Sequence, residues 1–185
     1  MADISAGEGQ LVERESAILK NLMQLRKIRI RDAMTPQTVV FSLPETTLIH
    51  EFFDQHKEVR FSRIPIYDKD QDHVNGFVLR SEMLLAYACG ELKKPLKHYN
   101  RKIPALLETI SLERAFNLVV PMEAHIALVV DEYGDLQGIL TLEDIVETLL
   151  GIEIVDEGDE TVDMQELARR RWKRRAEKRG LDFKK

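Results

Sequence analysis

The sequence predicts a mixed α/β (α+β) fold: two tandem β-α-β-β-α units packed sheet to sheet, with flanking N- and C-terminal helices. Three observations carry this. One order of hydrophobic patterns, reading strand, helix, strand, turn, strand, helix, occurs twice between residues 35 and 150. Landmarks repeat with it: Asp68 and Asp131 close corresponding strands 63 residues apart, and Gly76 and Gly138 open the next strands 62 residues apart. Each unit of roughly 60 residues is too short to bury much apolar surface alone, so each needs its twin.

The elements follow in order. "QLVERESAILKNLMQLRKIRIRDAM" sets Leu11, Ile18, Leu22, Leu25 and Ile28 near helical spacing, which predicts a helix over about 11–26. "TPQTVVFSL" is a β-branched run opened by a proline and reads as a first strand. "ETTLIHEFFDQHK" offers a threonine start and an apolar stripe of Leu48, Phe52 and Phe53, a helix. A strand then runs to Tyr67, followed by a turn rich in Asp, Asn and Gly, a strand "GFVL", and a helix from about Ser81. The second copy reads "KIPALLE" as strand, "SLERAFNLVVPME" as helix, and "HIALVVDEYGDLQGILTLEDIVETLL" as strand, turn, strand and helix. The expected organisation is a lead-in helix (1–28), a first unit (29–91), a second unit (92–152), and an acidic linker with a basic tail (153–185).

Composition narrows the function classes. Hydrophobic residues make up 44% of the 185-residue chain, ordinary for a globular protein with a proper core. No apolar run approaches the ~18 residues that would cross a bilayer. The opening "MADISAGEGQLVERES" is acidic and polar, unlike a secretory signal. The one cysteine, Cys89, excludes an internal disulfide and fits a reducing compartment, so a cytosolic location is expected. Net charge is −5, yet residues 165–185 hold ten Lys or Arg against three acids, leaving −12 on the other 164 residues. The tail "RRRWKRRAEKR" offers three readings: a solvated helix paired with the acidic stretch before it, a lipid contact with Trp172 at the interface, or an RNA contact through phosphates. The first two are favoured over nucleic acid. The six acids in 153–163 read as a solvated linker rather than a metal cage. Histidines 50, 56, 73, 98 and 125 show no metal-ligand spacing. No P-loop, nucleophile–base arrangement or paired-carboxylate motif can be placed, so a binding module is expected rather than an enzyme.

The chemistry concentrates in "GILTLEDI", residues 138–145. Thr141 and Asp144 stand three apart where a strand gives way to a helix. A capping box uses that spacing to satisfy two orphan amides. The same geometry suits a ligand: a helix N-terminus favours phosphate, an aspartate beside it can accept from both hydroxyls of a ribose, and Thr141 can donate to a sugar or phosphate oxygen. Spacing alone does not choose.

"RIRDAMTP" (29–36), "RFSRIPIYD" (60–68) and "ALVVDEYGDLQGILTLEDIVETLLGIEIVDE" together resemble the paired CBS domains of the CorC/cyclin-M family of magnesium-transport proteins, over about residues 10–158. The resemblance implies tandem CBS repeats (a Bateman module) whose cleft takes an adenine nucleotide, ATP or AMP, with Mg2+ arriving on the phosphates. It implies that Asp144 holds the ribose and that Thr141 contacts the sugar or phosphate. Phe61 would lie against adenine, Ser62, Arg63 and Pro65 would line the pocket with Arg63 facing phosphates, and Thr35 would close it. From the residues alone, Phe61 can equally be a core aromatic and Arg63 a surface cation. The first unit departs from the pattern, offering Leu79 and Glu82 where the second has Thr141 and Asp144. One nucleotide per chain is therefore expected. The resemblance further implies a homodimer on the cytoplasmic side of the membrane. It would regulate a transmembrane domain that moves Mg2+ or Co2+, with this chain as the cytosolic portion or a soluble relative.

Overall fold

The computed structural model describes residues 15–151. The start of the helix expected from residue 11, and the acidic and basic segments after residue 152, lie outside the described residues. Helix α1 occupies residues 15–24, followed by α2 (Ile30–Ala33), β1 (Thr35–Pro36), β2 (Leu43–Pro44), α3 (Ile49–Gln55), β3 (Arg63–Tyr67), β4 (Val74–Leu79) and α4 (Arg80–Ala88). The second half supplies β5 (Ala105–Leu107), α5 (Leu112–Val119), β6 (Ile126–Val130), β7 (Leu136–Thr141) and α6 (Leu142–Leu150). Two sheets result, ordered β2-β3-β4 and β1-β7-β6-β5. In each, an antiparallel hairpin (β3–β4, β6–β7) is flanked by a parallel strand (β2, β5). The duplication reaches fine detail: each hairpin carries a register irregularity, at Ile66/Tyr67 and Val129/Val130, 63 residues apart.

Two expectations change. "TPQTVVFSL" is not one strand: β1 and β2 are two-residue pieces separated by a 3-10 turn at Gln37–Val39, and they join different sheets. Pro36 and Pro44 lack the N–H that a continuous ladder would need at those positions. Helix α3 begins after Leu48 rather than at a threonine. The Glu51 carboxylate accepts from the Leu48 amide at 2.8 Å, while the Thr47 carbonyl is engaged by Leu96 N–H at 2.9 Å. Its core side is accordingly Ile49 and Phe52, both fully buried.

The halves exchange their lead-in segments. Leu25, from the lead-in, and Ile30 and Met34, at the start of the first unit, pack with Leu106, Leu112, Val129 and Ile145 of the second. Leu96, following α4, packs with Ile49, Phe52, Ile64 and Met83 of the first. Backbone bonds repeat the exchange: Leu112 N–H donates to Ile28 O at 3.0 Å, and Ile49 N–H donates to Lys94 O at 3.0 Å. Two glycines permit it. A Cβ on Gly138 would lie 2.2 Å from the Thr35 carbonyl oxygen, and one on Gly76 would lie 2.5 Å from that of Arg101. The glycines that mark the repeat are thus the points where the crossing segment runs against the sheet. No polar or charged residue among those described is fully buried, so apolar burial dominates both cores.

Candidate functional site: the joint between β7 and α6

Thr141 ends β7 and caps α6. Its hydroxyl oxygen accepts from the Asp144 amide at 3.2 Å, and Asp144 Oδ2 accepts from the Thr141 amide at 2.7 Å and from the Thr141 hydroxyl at 2.8 Å. The capping box is therefore real. It leaves Asp144 Oδ1 without a hydrogen bond among the described residues. Burial pushes the Asp144 carboxyl up from 3.8 to about 6, against the Thr141 hydrogen bonds that pull it down, with Glu147 and Glu143 adding repulsion. A cap would be stable with a fully solvated carboxylate. Holding a partly desolvated one costs stability, a cost more characteristic of ligand sites than of plain helix ends.

Two of the other expected residues, Thr35 and Arg63, reach this joint from different elements. Thr35, in β1, pairs with Ile139, two residues before Thr141 on the same strand. Arg63 opens β3 of the other half, and its guanidinium lies 3.8 Å from the Glu143 carboxylate in the first turn of α6. The topology thus brings Arg63 to the N-terminal end that Thr141 caps. Ser62 is exposed and its carbonyl accepts from Arg80 N–H at 3.0 Å. Phe61 is 39% exposed, its ring centroid 6.1 Å from that of Phe41, so it is not a core aromatic. Pro65 is buried in the middle of β3, opposite Phe77. It shapes the wall through alternation, sharing a face with Arg63.

The mate of this joint, in the first half, is built differently. Leu142 N–H donates to His125 O as Arg80 N–H does to Ser62 O, and Arg101 pairs with Phe77 as Thr35 does with Ile139. Leu79, Arg101 and His125 therefore occupy the places of Thr141, Thr35 and Ser62. Glu82, at the Asp144 position, is held by Arg101 through two contacts of 3.2 and 2.5 Å, and this pairing raises the Arg101 pKa further. Beside them opens a cavity of about 460 Å3, reaching from Arg63 and Phe77 to Lys102 and Met122. Of the cationic residues of that cleft, Arg63 was singled out by sequence reasoning, while Arg101 and Lys102 were not. The signal was "RKIP", residues 101–104, two adjacent cations just ahead of β5.

Residues 96–151 match the CBS domain family. UPF0053 protein sll1254 of Synechocystis sp. is 30% identical over 181 residues, covering 98% of this chain and 52% of that protein. The magnesium and cobalt efflux protein CorC of Salmonella typhimurium is 28% identical over 174 residues, 92% of this chain and 59% of that one. The solved CBS domain of a bacterial CNNM/CorC family Mg2+ transporter superposes with a TM-score of 0.73 at 26% identity, covering 77% of this chain and 87% of that one. The chain is a CBS-domain pair of the CorC family. A second structure of that bacterial domain, in complex with ATP, superposes at TM-score 0.70 and 24% identity, covering 75% and 98% of the two chains. A CBS-domain pair with bound AMP from Klebsiella pneumoniae does so at 0.56 and 24%, covering 67% and 99%. These last two show the fold alone. This CBS pair spans about half the length of the curated relatives it matches. Among its described residues, no helix is long and apolar enough to cross a membrane.

Proposed function

We propose that this CBS pair is a regulatory module that binds an adenine nucleotide, ATP or AMP, at the β7–α6 joint and so controls a divalent-cation (Mg2+ or Co2+) transport or efflux domain. The observation that carries the reading is the Asp144 carboxylate. It is fixed by Thr141, partly desolvated, and has one oxygen open to the paired hydroxyls of a ribose. The residues fit the ligand's other end as well. A guanidinium suits phosphate oxygens, and Arg63 is held by Glu143 only at 3.8 Å. Glu143 repels phosphate. ATP would therefore arrive with Mg2+, whose charge screens that repulsion. The ATP and AMP complexes of structural neighbours support the ligand class, and the CorC relatives support the transport partner.

Regulation needs a ligand that favours one of two arrangements. Thr35 lies on β1, which is continuous through Met34 and Ile30 with the segment leading back to α1. A nucleotide closing against Thr35 would bias that segment, and a transport domain preceding it would feel the bias. On this reading the module works at the cytoplasmic side of a membrane and pairs with a second copy. Leu84, Leu85 and Tyr87 on α4, Phe116 on α5 and Val120 just after it, all exposed apolar side chains, support the pairing. Calorimetric titration of the nucleotide-free protein with ATP and AMP, with and without Mg2+, tests the reading. Saturable heat that is lost in Asp144→Ala is expected. No heat at millimolar nucleotide would end it.

A further inference from the structure

We infer that the tip of the β6–β7 hairpin is a docking surface for the chain's own basic segment, residues 165–185, with Tyr133 as its anchor. The inference does not depend on the nucleotide reading above.

The turn displays its aromatic ring at a fixed place. Asp131 Oδ1 accepts from the amides of Tyr133 and Asp135, each at 2.9 Å, and Oδ2 accepts from Gln137 Nε2 at 2.9 Å. Gly134, at φ 90°, takes the left-handed step that closes the turn. One carboxylate thus holds the backbone, and the Tyr133 side chain plays no part in it. That ring is 85% exposed, the most of the large apolar side chains described. Neither it nor the exposed Glu132 makes a hydrogen bond or ion pair through its side chain among the described residues. Beside the turn runs β5, an edge strand of its sheet. Leu107, paired with Val130 next to the turn, is itself exposed. A bare apolar edge of this kind is ordinarily covered.

The mate turn, between β3 and β4, shows that closing a hairpin does not require such a display. Its residues 68–73, "DKDQDH", include no large apolar side chain, and Asp72 is engaged by Gln37.

Charge selects the occupant. From Ala115 to Gly151 the chain has seven acids and no Lys or Arg, and Asp131, Glu132 and Asp135 of the turn are among them. Residues 165–185 hold ten Lys or Arg against three acids, with Trp172 in their midst. Arginine stacks on an exposed tyrosine ring while pairing with carboxylates beside it, and Trp172 brings apolar surface to Leu107. The intervening residues 152–164 offer carboxylates but no aromatic ring. Their length permits the contact, since they reach about 45 Å when extended, beyond the roughly 35 Å across a domain of this size. Because both parts belong to one chain, docking gains from a high effective concentration.

Trp172 is the only tryptophan in the sequence, so its fluorescence reports on the segment in the full chain without a label. Acrylamide should quench it weakly at low salt and about twofold or more strongly in about 1 M salt, where charges are screened within about 3 Å. Tyr133→Ala and Glu132→Lys, both at exposed positions outside the turn's own bonds, should each raise low-salt quenching about twofold or more. Glu58→Lys, an equal charge change at an exposed position in the first half, should leave it unchanged, as should dilution of the protein. Wild-type quenching in both turn variants overturns the surface, and so does an equal effect of Glu58→Lys. Quenching that rises on dilution would assign the segment to a second copy and overturn the contact within one chain. Protection of Trp172 that appears only when phosphatidylserine vesicles or RNA are added would give the segment to those partners and overturn the docking surface.

Discussion

Replacing Asp144 with asparagine should make the folded protein more stable at neutral pH while weakening nucleotide binding. Burial holds the carboxyl at about 6 in the fold, against 3.8 for a free aspartate. Between those values the folded state binds more protons than the unfolded chain, so stability falls as pH rises through that window and levels off above about 6. The separation corresponds to about 3 kcal/mol lost at pH 8 relative to pH 3. Asparagine keeps an acceptor for the Thr141 amide and hydroxyl but carries no charge to desolvate. A weaker, neutral hydrogen bond returns about 1 kcal/mol of the gain, leaving Asp144→Asn about 2 kcal/mol more stable than wild type at pH 8. The advantage should vanish near pH 4. Urea unfolding at several pH values measures it as a shift of midpoint at constant slope, and the difference between the two proteins cancels the other carboxylates. ATP affinity should fall by at least about tenfold, since a charge-assisted acceptor for the ribose is lost. An equal or lower stability for the variant at pH 8, with no pH trend in the difference, would refute the argument that Asp144 is kept charged at a cost to the fold.

Three further outcomes follow from the same geometry. Gly138→Ala places a methyl group 2.2 Å from the Thr35 carbonyl oxygen; β1 must yield, and unfolding free energy should drop by about 2–3 kcal/mol, with Thr35 amide exchange accelerated in hydrogen-exchange measurements. Leu96→Ala empties a fully buried position in the first core and should cost about 2–5 kcal/mol in urea unfolding, although Leu96 belongs to the second unit by sequence. Arg63→Gln should weaken ATP binding about tenfold and adenosine binding hardly at all, which parallel titrations with the two ligands will show.

The asymmetry between the two joints has a simple origin. Asp144 is short, and it reaches only its own helix cap at Thr141. Glu82 is one methylene longer and extends to Arg101 on the crossing segment. One joint thus keeps an acceptor available and the other spends it on an internal ion pair. Both partners of that pair are substantially solvent-exposed, so it stabilises the fold little. Its consequence is chemical, in deciding what each joint can bind.

Local information was enough for much of this protein. The repeat, the strands from Arg63 to Tyr67 and from Ile126 to Val130, and helices α4 to α6 are written in short apolar runs bounded by turn residues and in helical spacing, which the chain expresses without reference to distant partners. The capping chemistry of Thr141 and Asp144 is equally local, since both partners lie within one helical turn. Where the lead-in segments go was not local. β1 and β2 are too short and too rich in proline to carry a period, and the choice between sheets was made by backbone partners about 100 and about 20 residues away. Tertiary structure alone placed Arg63 beside Glu143, tied Glu82 to Arg101, and opened the cleft at Lys102. It also raised the Asp144 carboxyl, because desolvation depends on what surrounds a group in space and not on its neighbours in the chain.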